Sequence, residues 1–202
     1  MPGPIAEVRV LELAQIMAGP ACGLMLADLG AEVIKIEKTA GGDDTRKFLP
    51  PDINGESAAF MMMNRNKKGL ALNLKEQEGI NIFKKMVEQS DVVIENFRKG
   101  TLEKLGIGYE DLKKINPKII LCEISGYGRT GPYADKGGFD LVAQGMSGLM
   151  SITGESSDKP PMKVGAPLTD ITAGILGATS VLAALINREK TGKGQRVDTS
   201  LY

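Results

Sequence analysis

Asp170 stands at the head of the most apolar run in the chain, residues 171–186. A carboxylate in that place has two uses. It can cap a helix, accepting backbone N–H groups that have no partner within the helix. It can also act as a nucleophile where a dry pocket strips away its water. Spacing alone favours the cap. A second kind of chemistry is anion binding. Lys38, Arg65, Lys67, Lys68, Lys75, Arg98 and Lys104 fall near the ends of strand-like runs. Such cations most often form a solvated face. Gathered in a cleft, they hold phosphate groups through charge-assisted hydrogen bonds.

Composition removes several alternatives. The chain has no histidine, so Ser-His-Asp and Cys-His chemistry cannot be carried by this stretch, and the commonest metal ligand is missing. Cys22 and Cys122 match no metal or disulfide spacing, and no metal is expected; a reduced, cytoplasmic setting follows. Lys plus Arg and Asp plus Glu number 25 each, so no net field attracts nucleic acid or an anionic membrane. Residues 1–8 contain no long apolar stretch of the kind that opens a secretory signal. Residues 171–186 fall short of the roughly 20 residues that span a bilayer and predict a buried helix instead.

The elements that must position these groups alternate. Residues 8–13 predict a strand, Gly19-Pro20 a break with Pro20 opening a helix, Gly30 its end, and residues 31–37 a second strand. Residues 41–66 read as a long turn-rich excursion. Strand signals return at 70–74, 91–95, 118–124 and 195–201, with helical patterns around 80–87, 109–115, 139–150 and 170–192. Strand alternating with helix predicts an α/β fold, an open and mostly parallel sheet with flanking helices. In such a sheet ligands bind beyond the carboxyl ends of the strands. No GxGxxG follows the first strand and no GxxxxGK[ST] is present, which argues against dinucleotide and P-loop enzymes. A strand at the very end of the chain predicts that more sequence belongs after it.

Several blocks resemble the family III CoA-transferases. They run in order through Val10-Leu11-Glu12-Leu13 with Ala18-Gly19-Pro20, Leu26 to Glu37, Gly41 to Arg46, Asn64 to Lys68 with Leu72 to Lys75, Asp91 to Arg98, Ser125 to Gly128 with Thr130-Gly131-Pro132, and Asp170 with Thr172-Ala173-Gly174 and Thr191 to Gln195. The likeness implies a Rossmann-like large domain, of which residues 1–202 are the N-terminal part. A smaller domain and a C-terminal part would lie outside it, and two full-length chains would interlock as a homodimer.

The same resemblance implies that Asp170 is the catalytic aspartate. It implies that Gln15, Ile16 and Ala18 line the site and the CoA arm, and that Lys38, Leu72, Lys75, Asn96, Phe97, Arg98 and Lys104 hold the nucleotide and phosphates. Coenzyme A and acyl-CoA are then substrates, with a small carboxylic acid as the other partner and no permanently bound cofactor. Residues 137–140 depart from the pattern of formyl-CoA transferases, which counts against oxalate as acceptor. An α-methylacyl-CoA racemase of the same superfamily would pair an aspartate with a histidine, and there is none. A non-catalytic CoA-binding fragment is the remaining alternative.

Overall fold

The computed structural model describes residues 2–156 and 158–202. Six strands form one sheet: β1 (Arg9–Glu12), β2 (Glu32–Glu37), β5 (Lys67–Ala71), β6 (Val92–Glu95), β7 (Ile120–Ser125) and β8 (Arg196–Ser200). Their order is β5-β2-β1-β6-β7-β8, and every neighbouring pair is parallel. Chain order runs outward from the centre in both directions, so it reverses between β1 and β6. That is the point where a doubly wound sheet opens a crevice. All four residues of β6 are buried, as are five of the six in β7. Continuous apolar runs are what strands covered on both faces require.

One face carries α1 (Ala18–Asp28) and α8 (Leu168–Thr191). They approach closely because their contact is made of small residues. An alanine Cβ at Gly174 would lie 2.6 Å from the Ala21 Cβ and 2.7 Å from the Ala18 carbonyl oxygen, so a larger side chain would push the helices apart. The core beneath holds Val10, Cys22, Leu26, Ile94, Cys122, Ile124 and Val181. The opposite face carries α3 (Gln77–Val87), α4 (Thr101–Lys104) and α5 (Tyr109–Ile115), which close over Leu11, Phe83, Val93, Leu112 and Leu121.

The helix over Tyr109–Ile115 matches its expected bounds. Elsewhere the structure corrects the sequence. The excursion at 41–66 is not featureless: it holds a 3₁₀ turn at Asp44–Lys47, a hairpin of β3 (Asp52–Ile53) and β4 (Glu56–Ser57), and α2 (Ala58–Asn64). The strand expected at 70–74 begins earlier, at Lys67. Pro20 is the third residue of α1 rather than the first, where its missing N–H still costs no intrahelical bond. The helix expected at 139–150 divides into α6 (Asp140–Met146) and α7 (Leu149–Ile152), because Gly148 turns to φ 81° between them.

The apolar helix runs over Leu168–Thr191, 24 residues, close to the expected 170–192. By length and composition it is sufficient to cross a bilayer. Here it lies along the sheet, with Ala173, Gly177, Val181 and Ala184 buried while Ile175, Leu176 and Ile186 face outward. The expected burial holds for one face only.

Candidate active site

A cavity of about 160 Å³ opens beyond the carboxyl ends of β6 and β7. Asp170 lines it from the first turn of α8, and Ala18 from the start of α1. Asn96, Phe97 and Arg98 enter as the tail of β6, while Ser125 and Gly126 leave β7 and meet Gly137 and Gly138. That last meeting is tight: an alanine Cβ at Gly126 would lie 2.4 Å from the Gly138 Cα. Lys99 and Lys136 add charge to the wall beside Arg98. The N-terminus of α1 and three cations thus border the space, an arrangement that favours an anionic guest.

Asp170 does not cap its helix. The N-cap of α8 is Pro167 and no side chain of α8 itself caps it. Asp140 supplies the anion from α6: its Oδ1 accepts the Thr169 N–H at 2.8 Å and the Thr169 hydroxyl at 2.7 Å. Burial, with the Asp140 charge adding to it, pushes the Asp170 carboxyl up to about 6. It therefore remains mostly ionised at neutral pH while being poorly solvated. A carboxylate in that condition can act as a nucleophile.

A second cavity, of about 280 Å³, lies beyond β1 and β2. Leu13, Ile36, Leu72, Phe97 and Leu105 make it largely apolar, and Lys38 and Lys75 stand at its edge with Gln15. Phe97 lines both cavities. The tails of β1 and β6 that separate them are stitched together: Gln15 N–H donates to Asn96 Oδ1 at 2.9 Å, and Asn96 Nδ2 donates to the Gln15 carbonyl at 2.7 Å.

Beneath the β1 tail lies a set of buried charges. Lys35 Nζ stands 2.9 Å from both Glu12 Oε1 and Asp43 Oδ2, and Lys67 Nζ lies 2.8 Å from Glu12 Oε2. Asp43 in turn accepts the Ile16 N–H at 3.2 Å on each oxygen. This holds Ile16 at φ 67°, a conformation β-branched residues rarely adopt. A second set anchors the glycine-rich loop. Arg129 bonds Glu95 and lies 2.9 Å from Glu123, and Glu95 Oε2 accepts the Phe97 N–H at 2.6 Å. Burial drives the Glu95 carboxyl up to about 8, against the pull of Arg129.

Of the residues carried over from the resemblance, Ala18, Asn96, Phe97, Arg98 and Asp170 meet in the first cavity. Gln15, Lys38, Leu72, Lys75 and again Phe97 meet in the second. Two are not brought in. Ile16 lines neither cavity; its backbone is spent on Asp43. Lys104 is exposed at the end of α4 and lines neither, although Thr101 and Leu105 beside it do. Lys67 departs from the solvated face expected of it, being buried against Glu12, while Arg65 and Lys68 pair with Asp28 and Glu32. Lys38 is shared with Asp44 at 2.7 Å. Sequence reasoning missed Asp140, Arg129, Lys99 and Lys136. Only Asp140 left a signal, as an acidic residue opening a helix after Gly-Gly-Phe.

The chain matches the family described as CoA-transferase family III over residues 5–202. It is 47% identical to a succinate–glutarate CoA-transferase of Agrobacterium fabrum, covering 98% of this chain and 51% of that protein. It is 45% identical to a succinyl-CoA:mesaconate CoA-transferase of Haloarcula marismortui, covering 99% and 52%. Among solved structures it superposes on a CAIB/BAIF family protein from Brucella suis with a TM-score of 0.95 at 45% identity, covering 100% of this chain and 54% of that one. The chain spans about half the length of the curated relatives it matches.

Proposed function

The chain belongs to CoA-transferase family III, and from that premise we propose that its cavities carry out CoA transfer between a short acyl-CoA and a dicarboxylic acid, with Asp170 as nucleophile. One observation carries this: a poorly solvated carboxylate shares a cation-lined cavity with the Asn96–Arg98 turn, at the point where the sheet order reverses.

The Asp170 carboxylate attacks the thioester carbonyl of the donor. The carbon–sulfur bond breaks, giving a mixed anhydride and CoA thiolate. The thiolate then attacks the aspartyl carbonyl, forming an aspartyl-CoA thioester and releasing the donor acid as its carboxylate. The acceptor carboxylate attacks this thioester, and the same two steps in reverse leave the new acyl-CoA and free Asp170. No proton or external energy source is consumed, because the donor thioester is replaced by a product thioester of similar energy.

The flat base of CoA fits the apolar slot of Leu72, Phe97 and Leu105, with Lys38 and Lys75 toward its phosphates. The thioester arm passes Phe97 into the first cavity. Backbone N–H groups among Ser125, Gly126, Gly137 and Gly138 are the candidates for stabilising the tetrahedral oxyanion. Arg98, Lys99 and Lys136 suit an acid with a second carboxylate, in keeping with relatives named for glutarate and mesaconate. In the cell we place the enzyme in the cytoplasm, as an interlocked homodimer in which the remaining half of the fold completes the site.

The test uses the full chain with succinyl-CoA and glutarate, following glutaryl-CoA formation. Hydroxylamine or borohydride added to the acyl-CoA-treated protein should mark Asp170, as mapped by mass spectrometry. Turnover with no mark at Asp170 would refute the mechanism.

A further inference from the structure

Resting on the proposal that Asp170 is the nucleophile, we infer that Asp140 is the residue that positions it, fixing the first turn of α8 and freeing the Asp170 carboxylate from the helix end. Asp140 Oδ1 receives three donors from that turn: the Thr169 N–H at 2.8 Å, the Thr169 hydroxyl at 2.7 Å and the Asp170 N–H at 3.4 Å. Its Oδ2 receives Gln144 Nε2 at 2.6 Å. Gln144 is fully buried, and its Oε1 accepts the Val164 N–H at 2.9 Å. Positions 140 and 144 lie one turn apart on α6. One side of α6 therefore grips both the loop before α8 and the opening turn of α8.

The consequence for Asp170 is chemical. The N–H groups at the start of a helix would ordinarily bind a first-turn carboxylate and blunt it. Asp140 occupies them instead. Among the described residues, no hydrogen bond holds the Asp170 carboxylate; burial and the charge of Asp140 raise it. Its lone pairs are left for the cavity. The other charged groups facing that cavity are Arg98 and Lys99 beyond β6 and Lys136 in the glycine-rich loop. The like charge that raises Asp170 is that of Asp140, on α6.

The experiment compares wild type, Asp140→Ala and Asp140→Asn in the full chain. Folding is checked by circular dichroism and melting. Two quantities are read: the rate at which acyl-CoA produces a hydroxylamine-trappable adduct on Asp170, and the acid limb of kcat/KM. Asp140→Ala should slow trapping by about 10²-fold, the scale of a misplacement near 1 Å, with KM for succinyl-CoA little changed. Asp140→Asn keeps an oxygen for Thr169 and should recover most of that rate. Its acid limb should move to lower pH, because a like charge has gone. A folded Asp140→Ala protein with wild-type trapping rate and wild-type acid limb would overturn the inference. If that variant does not fold, an unmoved limb in Asp140→Asn would do the same. Absence of any Asp170 adduct in the wild type would remove the underlying mechanism, and this inference with it.

Discussion

Gln15 and Asn96 are joined by reciprocal hydrogen bonds of 2.9 and 2.7 Å, each through the Gln15 backbone and the Asn96 side chain. The pair ties the tail of β1 to the tail of β6 just where the two strands diverge to open the crevice. In Asn96→Ala the Gln15 N–H and carbonyl lose their partners, at a cost of about 1–3 kcal/mol. The melting temperature should fall by several degrees, and acyl-CoA should bind at least about tenfold more weakly. Calorimetric melting and a CoA titration check both; unchanged values would show the pair to be incidental.

As the proposed nucleophile, Asp170 carries a pH signature. Burial pushes its carboxyl up to about 6, and it must be ionised to attack. Below pH 6 the rate should fall about tenfold per unit. Stability follows the opposite sign. The folded value lies above the ordinary 3.8, so the fold holds this proton more tightly than the unfolded chain. That contribution is fully present below pH 3.8 and is lost as pH rises through 6. Asp170→Asn should therefore melt above wild type at pH 7.5, with the gap closing toward pH 4, while transfer is abolished. Equal melting temperatures at all pH values would contradict the burial of this charge.

Lys35 is the cation shared by two buried carboxylates, Glu12 and Asp43. Lys35→Met fits the same space but leaves Asp43 without its cation and Glu12 with Lys67 alone. Breaking a buried ion pair from one side costs about 3–5 kcal/mol. Urea denaturation should show a loss in that range. A loss below about 1 kcal/mol would mean that water reaches the cluster.

Gly126 and Gly138 cross with no room for a side chain between them. In Gly126→Ala the two arms of the loop must separate at the wall of the first cavity. We expect a protein that still folds, with kcat/KM for transfer reduced by about 10²-fold or more. Steady-state kinetics beside a melting curve separate this from simple loss of fold.

The alternating fold was legible because β1 alternates apolar and polar residues, β6 and β7 are short, mostly apolar runs, and each is followed by a helical pattern. The break at Gly148 and the short elements between residues 41 and 66 were not. A two-residue strand and a seven-residue helix are too short for any period to emerge. At the site, Asp170 was visible by its place before an apolar helix, yet its role as a cap went to Asp140, thirty positions earlier. Which of two acidic residues faces a helix end depends on how α6 packs, and no local pattern records that. Lys67 misled for the same reason: a lysine in a charged run looks solvated until Glu12, from another strand, is found opposite. Arg129 joins Glu95 and Glu123 across two strands, with nothing nearby in sequence to announce it.

The strand order has a consequence for how the molecule is made. β1 leaves the ribosome before β6, yet it sits at the centre of the sheet, and Val10 waits for Val92 before its second side is paired. Until β6 emerges, the nascent sheet of β5, β2 and β1 presents an open, apolar strand edge. Parallel pairing of this range is slow to form. The growing chain is thus most prone to sticking to its neighbours while the residues of the future crevice are still being added, and chaperone capture during translation should concentrate in that interval.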